Sequence, residues 1–401
     1  MSDLFENMQR EMGFAGGGIY FYLYQQSGDL AQLNRAIDIW QEAISQIEHD
    51  SSEFPLCLNM LSYGLNERFE RTQNLDDLNE AARLLELGLS LCEVGSSTYI
   101  QCLNNLGNVL SMRYDHTQDV ADQDRAIQLY GQVAEHTPLD APELPQHLHN
   151  LCSCLLGRFV RTKNMADLDR AIRAWEEILA NTSADSPYRS MHLGNLDNGL
   201  RMRYALTENI ADLKRAIEVL SILLQETALD SPHRPDYMDR LSQALLTQYE
   251  CTEKLDDLEA AIALWEQHVA QTPLTSADRP ARLNFLAYGL DKRYEHSKDL
   301  ADLERATTLL EEALSLAPAG SAIALHSLNN LANILRTRYA DSDNLSDLDY
   351  AISLLEQAIE QSPADSSDLP ALKKSLRSAL MKHYAVTNSE DDLEKASKLA
   401  E

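Results

Sequence analysis

Residues 103–130 read LNNLGNVLSMRYDHTQDVADQDRAIQLY, and this stretch decides the fold. Leu103, Leu106, Leu110 and Tyr114 recur at three- and four-residue steps, which is one face of an α-helix. Thr117-Gln118-Asp119 breaks the pattern. Ala126, Ile127, Tyr130 and Ala134 then resume it on a second helix.

Outward from this stretch, the same pattern returns along the whole chain. The alanine of a D-L-x-x-A-I/A pattern falls at Ala36, Ala81, Ala126, Ala171, Ala216, Ala261, Ala306, Ala351 and Ala396, every interval being 45 residues. An aromatic keeps the same step from Tyr24 and Phe69 to Tyr384, and a leucine from Leu61 to Leu376. A fixed period of this length means a solenoid or a propeller. The helical spacing within each period selects an all-α solenoid of helix A–turn–helix B units. One unit cannot bury its own apolar face, but stacked neighbours can.

Start signals recur with the same step. Asp29, Asn74, Asp119, Asn164, Asn209, Asp299, Asn344 and Ser389 precede helix B, with Lys254 as the exception. An aspartate follows three residues later in every copy but the first, which has Gln32. This is an N-cap with an acidic N3 residue, close to a capping box and suited to the positive helix end. Those aspartates are therefore expected to be structural rather than catalytic carboxylates. Pro55, Pro145, Pro235, Pro280 and Pro370 share one position at the start of helix A, where the first turn tolerates proline.

The ends differ from the middle. Gly16-Gly17-Gly18 replaces the repeat leucine, and residues 1–28 are expected to form a degenerate, frayed N-terminal capping helix. The glycine run looks like a phosphate loop but lacks the lysine and hydroxyl residue that must follow it. Residues 29–401 are expected to form one continuous solenoid, whose last copy breaks off inside helix B at Lys398-Leu399-Ala400-Glu401. Either this tail frays or the chain is part of something longer.

Composition agrees with an all-helical chain. Among 401 residues only 15 are glycine and 12 proline, while 44 % are hydrophobic. Asp and Glu number 63 against 34 Lys and Arg, a net charge of −29. Such a surface repels phosphate backbones, so neither nucleic acid nor anionic membrane is an expected partner. A basic or mixed-charge protein or peptide is. No apolar run approaches a membrane span, and the acidic start MSDLFENMQREMG lacks the features of a secretory signal. Six scattered cysteines at mostly apolar positions read as buried thiols of a reducing compartment, so a cytoplasmic location is expected.

Leu103-Asn104-Asn105-Leu106-Gly107-Asn108 with Arg113-Tyr114, and Asp167-Leu168-Asp169-Arg170-Ala171-Ile172 with Trp175-Glu176, resemble helices A and B of the tetratricopeptide repeat (TPR) superfamily. The 45-residue period implies longer helices than the family's usual ones and is similar to the arrays attached to CHAT-type caspase-like proteases. The resemblance spans nearly all of residues 10–401 and implies a right-handed superhelix with helix A lining an inner groove. The CHAT domain, with its His and Cys dyad, has no counterpart in this sequence.

Helical geometry places three asparagine-rich positions opposite the leucine flank of helix A. Asn59, Asn104, Asn284 and Asn329 occupy one, and Asn105, Asn150, Asn195 and Asn330 the next. Asn108, Asn198 and Asn333 occupy the third, with Tyr63 and Tyr288 in other copies. Arg201, Arg240, Lys292 and Arg336 lie nearby and suit a carboxylate or phosphate. Asparagine is a middling helix former, so propensity does not explain it there. A primary amide both donates and accepts, so the ladder fits an extended peptide backbone. It fits equally an asparagine ladder bonding between stacked helices. Arg68, Arg113, Arg158, Arg203, Arg293 and Arg338 precede the core aromatic and are expected at the interface with the next copy. Trp40, Trp175 and Trp265 share one helix-B position and are expected in the core. His147, His149, Cys152 and Cys154 look like a metal cluster, but one helix points them to two opposite faces. No Ser/His/Asp or Cys/His arrangement follows from the spacing, and no cofactor or enzymatic role is expected. The expected function is a protein-interaction scaffold that binds a peptide or partner protein in the groove. The alternative is a sensor arm of a larger effector, such as a CHAT-type protease, carried as a downstream domain.

Overall fold

The computed structural model describes residues 2–49, 51, 53–138, 141–363 and 365–399, with side chains from residue 15 onward. These residues form helices alone. The chain divides into two compact units, Met1–Leu206 and Thr207–Glu401. The first holds α1 (Ser2–Ser27), α2 (Leu30–Gln46), α3 (Phe54–Thr72), α4 (Leu75–Leu91), α5 (Ser97–Thr117), α6 (Val120–His136), α7 (Leu144–Thr162) and α8 (Met165–Asn181), with nearly all of α9 (Arg189–Thr207). The second holds α10 (Ile210–Glu226), α11 (Arg234–Thr252), α12 (Leu255–Gln271), α13 (Arg279–Ser297), α14 (Leu300–Leu316), α15 (Ala322–Ser342), α16 (Leu345–Gln361), α17 (Leu369–Thr387) and α18 (Glu390–Lys398). Odd-numbered helices are the A helices and even-numbered ones the B helices. Within each unit consecutive helices pack on one another, α8 and α9 meeting where Gly199 lies against Trp175.

A two-residue turn explains the invariant period. The residue after helix A takes the left-handed conformation, as at Gln73, Gln118, Lys163 and Glu253, with φ between 55 and 61°. Its N–H donates back to the core aromatic's carbonyl, Gln73 to Phe69 and Gln118 to Tyr114 at 2.7 Å. In copy one Gly28 fills this position at φ 69°. The next residue is the N-cap of helix B, and the side chains of Asp29, Asn74, Asp119, Asn164, Asn209, Asp299, Asn344 and Ser389 all accept a backbone N–H of the first turn. Lys254 makes no such bond. A turn with one αL residue and one cap has no room for insertions. The prolines stand in the first turn of α3, α7, α11, α13 and α17, as the sequence implies.

The core is the seam of A and B helices. Trp40, Trp175 and Trp265 are buried, and each is matched by a glycine on the following A helix. A Cβ on Gly64, Gly199 or Gly289 would lie 2.8–2.9 Å from the facing tryptophan ring. Where the B residue is leucine instead, as at Leu85 and Leu310, the facing residue is Val109 or Ile334. Large and small side chains thus compensate in these five pairs, which is how a close-packed interior keeps its density, whereas Leu220 and Leu355 face the small Ala244 and Ala379.

The N-terminal helix packs by the same rule. α1 runs unbroken through the triple glycine, and Gly17 lies against Trp40, where a Cβ would collide with the indole. Gly17 alone of the three makes room for the first tryptophan; Gly18 faces open space.

A candidate interaction face on the A helices

The repeat aspartates are held by the repeat arginines. Nε and Nη2 of Arg113 donate to both carboxylate oxygens of Asp122 at 2.7 and 2.6 Å. The same two-pronged pair joins Arg68 to Asp77, Arg158 to Asp167, Arg293 to Asp302 and Arg338 to Asp347. The third nitrogen reaches the preceding B helix, from Arg68 to Asn34, Arg113 to Asn79, Arg158 to Asp124, Arg203 to Asp169 and Arg293 to Glu259. Two expectations are corrected. The N3 carboxylate spends its oxygens on arginine instead of closing a capping box, and the arginine ties its copy to the one before, not the one after. Bidentate pairing of a mostly buried carboxylate is the stronger kind of ion pair. These aspartates are buried and held by arginine, as a structural role requires.

Two copies vary the clamp. His383 replaces the arginine in copy nine and bridges Asp392 at 2.6 Å and Asp349 at 2.8 Å. Gln248 replaces it in copy six, where Gln248 Oε1 and Asp257 Oδ2 are buried without partners.

The asparagines form the ladder that was one of the two expected readings. Asn105 Nδ2 donates to Asn59 Oδ1 at 2.8 Å, and Asn150 Nδ2 to Asn104 Oδ1 at 3.2 Å. In the second unit Asn330 Nδ2 donates to Asn284 Oδ1 at 3.3 Å, and Asn284 Nδ2 to Ser327 Oγ at 2.7 Å. Asn108 accepts the Tyr130 hydroxyl at 2.7 Å. Asn59 and Asn284 are buried, while Asn104, Asn105, Asn108, Asn150, Asn195, Asn329 and Asn330 are half-buried. Asn198 and Asn333 are exposed. The inner amides Asn59, Asn104, Asn105, Asn150, Asn284 and Asn330 are thus engaged with each other, while at the outermost position Asn198 and Asn333 face solvent and Asn108 does not.

Other candidates divide in the same way. Tyr63 is 44 % exposed and meets Phe21 edge-on; burial, then Glu67, push its hydroxyl pKa up. Tyr288 donates to Glu250 at 3.1 Å, with Lys292 stacked over its ring. Lys292 pairs with Glu295, Arg201 with Asp197 and Arg240 with Asp236. Arg336 alone among the four candidate cations has no carboxylate in its described contacts: it donates to Asn333 Oδ1 at 3.4 Å and Ser378 Oγ at 3.2 Å.

Sequence reasoning missed the apolar members of this face. Phe285 occupies the repeat position of Asn105 and Asn150 and is 42 % exposed, stacked flat on Trp265. Met191 and Leu56, which share another position on the face, are exposed as well. The signal was present: an aromatic or thioether at positions otherwise filled by amides.

The four metal-like residues of α7 disperse to separate neighbours. His147 meets Thr137, Cys154 meets Ser111, Cys152 donates to the carbonyl of Ala171, and the His149 ring lies 6.0 Å from that of His192. Cys57, Cys102 and Cys152 are buried, which pushes the thiols of Cys57 and Cys102 up to about 12. Cys251 departs from this pattern and is exposed. No helix among the described residues is long and apolar enough to cross a membrane.

Residues 100–137 and 236–271 match a family model described as tetratricopeptide repeat. Each match covers an A/B pair, α5 with α6 and α11 with α12. No curated protein matches the chain. Among solved structures, a Podosopora anserina putative kinesin light chain with nearly identical TPR-like repeats is 18 % identical, covering 54 % of this chain and 97 % of its own, with a TM-score of 0.39. BtubC (BKLC) from P. vanneervenii is 17 % identical over 59 % of this chain and 90 % of its own, with a TM-score of 0.42. MamA is 19 % identical over 50 % of this chain and 92 % of its own, with a TM-score of 0.34. None of these names a CHAT domain. The two matched helix pairs are similar to tetratricopeptide repeats, and the fold is an all-α solenoid of such stacked pairs.

Proposed function

We propose that the chain is a protein-interaction scaffold that binds a peptide or partner protein on the exposed face of its A helices. One observation carries this reading. Positions that hold asparagine in some copies hold Tyr63 or Phe285 in others, and these aromatic side chains stay more than two-fifths exposed. A position that served only to join helices would bury the aromatic it receives. Exposed apolar groups set among amides are what interaction surfaces present. The internal ladder leaves the outer amides, Asn198 and Asn333, to meet a main chain. Repeat stacking supplies the extended surface.

The test is selection of a phage-displayed random dodecapeptide library on the full chain. Selected peptides are then measured against Tyr63→Ser/Asn198→Ala and Phe285→Ser/Asn333→Ala. A loss of about tenfold or more in one double variant, with an unchanged melting temperature, is expected for a hot-spot pair. Selected peptides that bind both variants as tightly as the original chain refute the proposed face.

A further inference from the structure

The chain is strongly acidic, yet one helix is the opposite. Helix α17 carries Lys373, Lys374, Arg377 and Lys382 and no Asp or Glu. By repeat register, Lys374, Ser378 and Lys382 stand where α15 has Asn329, Asn333 and Thr337, on the A-helix face already described. Lys374 and Lys382 are exposed, and no carboxylate pairs with either in the described contacts. Between the two helices lies Arg336, half-buried and held by neutral oxygens from both: Asn333 Oδ1 of α15 and Ser378 Oγ of α17. Its Nε is buried and unpartnered. Burial lowers the pKa of this guanidinium, and no acid offsets the effect.

This contrasts with the clamp arginines, each of which meets an acid. Desolvating a cation without a counter-charge is costly, and such a group is poised for an anion that arrives from outside. The sign of the face also changes at this point. One copy earlier the position of Arg336 holds Asp291, and Glu250 and Glu295 stand on the same face of α11 and α13.

We propose that the α15–α17 face docks an acidic polypeptide segment, whose side-chain carboxylates meet Arg336, Lys374 and Lys382. This deepens the scaffold reading and rests on it. It also selects the mixed-charge partner over the purely basic one. Lys374 and Lys382 are two helical turns apart, roughly 12 Å along α17. An extended chain covers that distance in about four residues, so acids spaced three or four apart match both lysines. A planar guanidinium with open donors suits a carboxylate between them.

The experiment measures fluorescence anisotropy of a labelled dodecapeptide with Glu at every third position among Ser and Ala, against the full chain, and of the same peptide with Lys in place of Glu. The Glu peptide is expected to bind and the Lys peptide to bind at least about tenfold more weakly at this salt-sensitive site. Lys374→Glu/Lys382→Glu should weaken the Glu peptide by about tenfold or more, and Arg336→Gln by about tenfold, a scale set by charge-assisted bonds. The charge-matched control Lys214→Glu/Lys254→Glu should stay within about twofold, because only net charge changes there. Circular dichroism of Arg336→Gln checks folding, and the exposed lysine pair keeps the test independent of that variant. Equal weakening in the control overturns the proposal, as does equal binding of the Lys peptide. So does sedimentation showing that the chain self-associates through this face and that the Glu peptide does not compete. If the library-selected peptides still respond to Tyr63 and Phe285 while the Glu peptide fails, only this inference falls.

Discussion

Gly289→Ala should destabilise this protein, although the same change at an ordinary helix position stabilises. Alanine gains about 1 kcal/mol over glycine inside a helix. At Gly289 the new Cβ would lie 2.9 Å from the Trp265 ring and 3.0 Å from Ile262 Cγ1. Trp265 is buried and cannot swing away, so overpacking of about 1–3 kcal/mol applies. The net expectation is a loss of about 1 kcal/mol. Trp265→Leu alone should cost more, about 2–4 kcal/mol, because it leaves a cavity over the glycine. The repeat indicates its own remedy: one copy later the pair is Leu310 and Ile334. Trp265→Leu/Gly289→Ile should therefore recover about 1 kcal/mol or more over Trp265→Leu, the scale of coupling between touching residues. Urea unfolding followed by circular dichroism on the four chains measures this, with the comparison made on midpoints because long repeat arrays need not unfold in two states. Gly289→Ala at or above the original stability, or a double variant no better than Trp265→Leu, would refute the size-matching argument.

Three further outcomes follow from single residues. Gln248→Arg should raise stability by about 1 kcal/mol or more, because Asp257 Oδ2 then gains the donor it lacks; an unchanged melting temperature counts against the clamp's energetic role. Arg113→Met should cost about 2–4 kcal/mol, since it strands the buried Asp122; chemical denaturation reads this, and a loss under about 1 kcal/mol would mean the helix N-terminus alone suffices. Burial, then His149, push His192 down from 6.5 to about 4, so the unfolded chain takes up the proton first. Stability is then fully present above about pH 6.5 and falls by about 2 kcal/mol as pH drops toward 4. His149→Asn/His192→Ser, which copies the bonded Asn284–Ser327 pair of a later repeat, should flatten that part of the melting-temperature profile; an unchanged slope would move the cause to other groups.

Much of the fold was legible because repetition makes a sequence its own control. Asn74 and Asp119 read as caps since eight helices begin alike, and the structure places every one of those side chains on a first-turn N–H. The arginine–aspartate clamp was half legible. Both residue types were visible, but nine residues of separation across a turn hid which acid each arginine meets. The first copy held the clue, for Leu23 replaces the arginine and Gln32 the aspartate together. The face itself was legible as a set of positions, not as a set of free groups. Nothing in a string distinguishes Asn59, buried against Asn105, from Asn333, open to solvent. That difference depends on how far each helix stands proud of its neighbour.

Net charge and local charge point to different partners, for a physical reason. The figure of −29 averages over layers that do not share a surface. Helices α12 and α16 carry four acids each and no Lys or Arg, while α17 carries four bases and no acid. A partner on the A-helix face meets A-helix charges at contact distance. It meets those of the B helices through a helix diameter of protein or through screening solvent. Total charge therefore governs solubility and slow approach, while Arg336, Lys374 and Lys382 govern what docks. The two predict opposite salt responses for a Glu-rich probe. Repulsion by the whole chain makes added salt strengthen binding, whereas attraction by the local face makes it weaken. Titrating the Glu peptide at about 50 and 300 mM salt, where the screening length shortens to well under 10 Å, decides between them by sign alone. Weakening with salt assigns recognition to the face, and strengthening assigns it to groups other than these cations.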